Sequence, residues 1–100
     1  MFLAALNRHL LLGGHGNWLE EAGEVELIGG WAEVALADAF VAQVDTTEYQ
    51  VFLSSYAAAL VFVQNRTQRS FEIHTMSAPG RRGHGTVHCA YLVVARAKSA

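Results

Sequence analysis

One hundred residues make a single domain, long enough to bury a core without covalent staples, and the lone cysteine, Cys89, excludes an intrachain disulfide framework. Hydrophobic residues are 52% of the chain, and charged residues only 16% against about 25% in an average domain. That is too little charge to cover a monomer well, which points to a symmetric oligomer hiding apolar surface.

The net charge of −2 conceals an asymmetry: residues 1–50 carry eight acids and one base (−7), and residues 51–100 one acid and six bases (+5). Two halves of one sheet system facing each other account for this; head-to-tail complementarity between subunits is the sharper alternative. The basic half is too sparse, and too poor in interleaved aromatics, for nucleic acid. The apolar start lacks a basic flank and a cleavage site, and falls far short of the roughly 20 residues of a membrane span, so no membrane insertion is expected.

Residues 1–17 read as an N-terminal segment, strand or helix, of the kind left by a preceding element; residues 18–100 read as the folded module. Phe2, Leu3, Leu6 and Leu10 have helical spacing, while residues 9–12 suit a short strand. Gly13, Gly14 and Gly16 break either. Trp18 follows, then Glu20 and Glu21, which read as an acidic turn. Residues 24–28 alternate as a half-buried strand with Val25 and Leu27 inward. Gly29-Gly30 is a two-residue hairpin turn, returning through residues 31–36 with Ala32, Val34 and Leu36 on one face. Asp38 is a candidate N-cap for a single helical turn carrying Phe40, Val41 and Val44. Residues 45–47 suggest a turn. Strands follow at 49–54, 60–64 and 70–75, the last with Phe71 and Ile73 inward and Glu72 and His74 outward.

Residues 76–85 form a long loop holding the only proline, Pro79. Residues 86–96 (T-V-H-C-A-Y-L-V-V-A-R) then make the longest strand. Both of its faces are largely apolar: Val87, Cys89, Tyr91, Val93 and Ala95 on one, His88, Ala90, Leu92, Val94 and Arg96 on the other. Either it lies in the middle of a sandwich or a neighbouring subunit covers its second face. The sum is all-β: a small sandwich or barrel of six to seven antiparallel strands with one short helical turn.

No catalytic constellation stands out, and no cofactor is expected. Cys89 beside His88 is no thiol dyad, because adjacent strand residues point apart; it reads as a buried, inert thiol. Glu24 and Glu26 look like a solvated strand face. His84 and His88 would share a face as weak metal candidates, with no third ligand nearby. Trp18 and Trp31 read as core or interface anchors, with a saccharide platform as the alternative. The tip Gly80-Arg81-Arg82-Gly83-His84-Gly85 is the candidate binding loop, with Arg81, Arg82 and His84 able to meet phosphates or acidic sugars. Leu92, Val94, Ala90 and Trp31 are the candidate oligomer interface.

The landmarks Trp18-Leu-Glu-Glu-Ala-Gly23, Gly30-Trp-Ala-Glu-Val-Ala-Leu36, Phe40, Tyr49-Gln-Val-Phe-Leu53, Leu60-Val-Phe-Val63, Phe71-Glu-Ile73 and Tyr91-Leu-Val-Val-Ala95 together resemble a small β-module. That module recurs at or near the C-terminus of phage tail-fibre and tail-spike-like proteins and of prophage-derived surface proteins. The resemblance covers residues 18–97. It implies a non-enzymatic structural module, commonly homotrimeric, in a virion or extracellular setting. The alternative is a carbohydrate- or receptor-binding tip acting through the basic loop.

Overall fold

The computed structural model describes residues 5–11, 18–76 and 86–98. Seven strands and one helical turn follow in order: β1 (Ala5–Leu11), β2 (Trp18–Leu27), β3 (Trp31–Ala35), α1 (Asp38–Val41), β4 (Val44–Ser55), β5 (Leu60–Gln64), β6 (Ser70–Met76) and β7 (Val87–Ala97). They form two antiparallel sheets. Sheet A has the order β1-β2-β7-β4 and sheet B the order β3-β6-β5. The all-β expectation therefore holds, with the strand number at its upper bound.

The long final strand occupies an interior position of sheet A, between β2 and β4. Its first face is the floor of the core: Val93, Cys89 and Ala95 are wholly buried, and Val87 and Tyr91 nearly so. Opposite them stand Val34 of β3 and Phe71 and Ile73 of β6, also without exposure. Its second face points away from the core and stays half-buried or exposed, so β7 is the middle of a sheet rather than of a sandwich.

The Gly29-Gly30 turn forms, with φ of 72° and 97°, the two positive values a type I′ turn requires. The hairpin does not continue, however. A single bridge, Ile28 to Trp31, closes it, and β2 and β3 then enter different sheets. The reason is that both arms carry an apolar face. Val25 and Leu27 from one, and Ala32 and Val34 from the other, enter the same buried core from the two sheets.

Three local readings change. The helical turn starts at Asp38 with Ala37 as N-cap, and no side chain of the cap residue bonds to it. Residues 45–47 lie within β4, where the register with β7 shifts between Val44 and Tyr49. There the Asp45 carboxylate accepts hydrogen bonds from the Thr47 N–H (3.0 Å) and hydroxyl (2.6 Å), a turn-like arrangement inside a bulged strand. Glu20 and Glu21 belong to β2, not a turn. Strand alternation puts Glu21 inside, with no exposure. Its carboxylate accepts the Ala37 N–H at 2.9 Å and the Tyr91 hydroxyl at 3.5 Å. A core carboxylate thus accepts the N–H of the N-cap residue, the bond that the third-position Glu or Gln of a capping box would ordinarily make from within the helix.

Glu21→Ala should destabilise the fold by about 1–3 kcal/mol, the cost of leaving a buried donor unpaired. Glu21→Gln keeps a carbonyl acceptor and should lose clearly less. Urea denaturation of the two variants checks this; equal losses would show that the Ala37 contact does not matter.

Candidate functional site

Three surface regions among the described residues bring together side chains that the sequence marked or that the register aligns. The first is the outer face of sheet A. The strand register places Ala22, Leu92 and Phe52 in one row across β2, β7 and β4. Phe52 is 53% exposed at the end of that row, and Leu92 and Ala22 are half-buried. Val94 sits between Glu20 and Gln50, and Ala90 between Glu24 and Ser54. The face is thus an apolar stripe along β7, acidic on its β2 side and neutral on its β4 side. Three of the predicted interface residues, Ala90, Leu92 and Val94, come together here. Phe52 completes the row, and sequence reasoning passed over it although its place opposite Tyr49, Val51 and Leu53 was readable from the alternation.

The second region is the outer face of sheet B, which holds the fourth predicted interface residue, Trp31. Trp31, His74 and Phe62 form a row across β3, β6 and β5. The ring centroids are 5.6 Å apart for Trp31–His74 and 5.8 Å for Phe62–His74, with interplanar angles of 14° and 24°. Nearly parallel rings at this separation are stacked with an offset. The row is a stack of three rings in which Trp31 is engaged with His74.

The next row on that face places Glu33 directly opposite Glu72. Like charges in that position repel, and each carboxylate has its own donors. Ser70 Oγ donates to Glu33 Oε2 at 3.0 Å. Asn65 Nδ2 donates to Glu72 Oε1 at 2.9 Å, and His74 Nε2 contacts the same oxygen at 2.8 Å. The His74 and Asn65 bonds hold the Glu72 carboxyl below its ordinary value of 4.5. A carboxyl kept ionised in this way is the reverse of a general acid.

The third region is the end of the sandwich beside the β4 bulge. Here Trp18, Asp45, Glu48, Tyr49, Arg66 and Arg96 line an open groove of about 280 Å³. The Arg96 guanidinium lies 5.0 Å over the Trp18 ring, and Arg66 5.3 Å over Tyr49. Arg66 also donates to the Tyr49 carbonyl. Tyr49 is the better buried partner; burial pushes its phenol up to about 12, with Arg66 acting in the opposite direction. Trp18, expected as a core or interface anchor, stays 39% exposed under Arg96. Both arginines are engaged with aromatic rings in the same chain, which makes the groove a tie between strands first.

His88 is exposed on β7 and stands 3.8 Å from Glu26 across the strand pair. Among the described residues, no three His, Cys, Asp or Glu side chains converge as a metal site. Cys89 is buried on the opposite face, and burial pushes its thiol up, away from the thiolate that reactivity needs. Arg81, Arg82 and His84 lie outside the described residues. No family model, no curated protein and no solved structure matches the chain.

The lowered pKa of Glu72 carries a sign. Its stabilisation is present above the ordinary carboxyl value and is lost as pH falls through the lower folded-state value. Glu72→Gln should therefore flatten the fall of Tm between neutral pH and about pH 3. Parallel thermal melts of wild type and variant across that range test it; identical slopes would remove the role given to this carboxylate.

Proposed function

We propose that the chain is a non-enzymatic, self-associating β-sandwich module of a phage-tail-like fibre, acting on a virion or in an extracellular setting. The observation that carries the reading is the outer face of sheet A. Its central strand presents Ala90, Leu92 and Val94 away from the core, and Phe52 extends that stripe to the sheet margin with about half its surface in water. A sheet face that served only to meet solvent would alternate apolar-in and polar-out. Here the outward positions of β7 are apolar for three successive turns of the alternation. The low charge content of the whole chain points the same way.

The sequence landmarks quoted above supply the fibre setting and the three-chain assembly. The rigid sandwich supplies what such a module needs: a pre-formed surface that loses little conformational entropy on association. The acidic strip on β2 sets the orientation, since copies that oppose those strips would repel.

Analytical ultracentrifugation at micromolar concentration should give the wild-type chain a multiple of its 10.9 kDa mass, three chains being the number expected to gather through this face. Leu92→Asp and Phe52→Asp should each lower that mass while keeping the β-sheet circular dichroism. A wild-type chain that sediments as a single copy at these concentrations would sink the self-association reading.

A further inference from the structure

The sandwich is sealed unevenly. On β3, an edge strand of sheet B, the inward residues Ala32 and Val34 are almost wholly covered. On β4 and β5, the two edges that face each other on the other side, the core-facing Val51, Leu53, Val61 and Val63 all remain partly exposed. A groove of about 320 Å³ opens there, lined by Val51, Val63, Gln64, Asn65 and Arg66. The connection through residues 56–59 closes one end of this side, and the Arg66 bond to the Tyr49 carbonyl closes the other.

The edge that borders this opening is itself unprotected. Sheet edges that must not pair carry lysine, proline, inward charges or bulges. β4 has a bulge and the acids Asp45 and Glu48. β5 reads Leu-Val-Phe-Val-Gln, with no charge, no proline and no glycine, and among the described residues it pairs with β6 alone.

We propose that β5 is a pairing edge whose occupant is β5 of a second copy of this chain, antiparallel about a two-fold axis at Phe62. The segment is close to symmetric about that residue. In this register Val61 meets Val63 of the second copy on the core side, so each copy's valines cover the opening of the other. Phe62 meets Phe62 on the outer side, which continues the Trp31–His74–Phe62 stack into the stack of the second copy. Leu60, 68% exposed in the single chain, comes to lie beside Gln64, and no like charges are opposed. A slip of one residue would turn the valines outward, so the open core fixes the register. Such a contact is isologous and joins copies in pairs, whatever number the outer face of sheet A gathers.

Cysteine cross-linking decides it. Residues directly opposite in an antiparallel pair have Cα atoms about 4.5–5.5 Å apart, within disulfide range. Phe62→Cys should therefore give a disulfide-linked dimer on mild oxidation. Leu60→Cys, whose two copies lie on opposite sides of the two-fold, should link at least about tenfold more slowly. Native Cys89 has no exposure and contributes no link. Val63→Lys, which puts an inward charge on the edge, should abolish the Phe62→Cys dimer while leaving the circular dichroism unchanged. If Phe62→Cys stays unlinked while Phe52→Cys links, copies meet by the outer face of sheet A and the edge proposal is overturned. If neither links and the chain sediments as a single copy, both surfaces fail. Equal rates for Leu60→Cys and Phe62→Cys would overturn the register.

Discussion

A cluster of three aromatic rings centred on Phe71 spans the core between the two sheets. Phe71 of β6 meets the Tyr91 ring edge-on, with centroids 5.6 Å apart, and the tilted Tyr49 ring at 6.4 Å. These three side chains belong to three strands and both sheets. Nothing covalent replaces them, because the single cysteine is free, and Ile28 to Trp31 is an isolated backbone bridge at the turn. The two sheets therefore stay together by burying apolar surface, and this aromatic cluster is part of that buried surface. The Tyr49 hydroxyl reaches further, to the carbonyls of Thr67 and Ser70 at 2.7 and 2.9 Å, and so ties the β5–β6 turn to sheet A.

Around this centre the polar groups in the interior are placed rather than merely tolerated. Glu21 sits among apolar side chains, yet its oxygens meet the Ala37 N–H and the Tyr91 hydroxyl. Tyr91 thereby joins the aromatic cluster to the carboxylate that supports the helical turn. The turn in its own right buries Phe40 without exposure, which plugs the end of the sandwich where β3 leads into β4. The consequence is a sandwich whose closed side is β3 and whose open side lies between β4 and β5.

Much of the candidate surface was readable from the chain. The apolar second face of residues 86–96 marked Ala90, Leu92 and Val94, because strand alternation is local and needs no tertiary information. Trp31 could not be assigned to the same surface or a different one by that argument. Its place depends on which sheet residues 31–35 join, and this is settled by packing across the core. The Glu33–Glu72 pair was invisible for the same reason: the residues are far apart in sequence and meet only through the β3–β6 register. Glu21 was misread as a turn residue because two adjacent acids look solvated, whereas the strand runs through them and points them to opposite faces.

By itself the sequence determined the all-β class, the positions of most strands, the glycine turn and the inward set Val25, Leu27, Val34, Phe71, Ile73 and Cys89. Each follows from period-two alternation or from a backbone conformation that only certain residues adopt readily. The tertiary structure decided how those strands are shared between two sheets, which turned an expected hairpin into a crossing between layers. It also decided that β4 and β5 are neighbouring edges with a core left open between them. Strand pairing is a long-range choice governed by total burial, and no local pattern encodes which edges remain unpartnered.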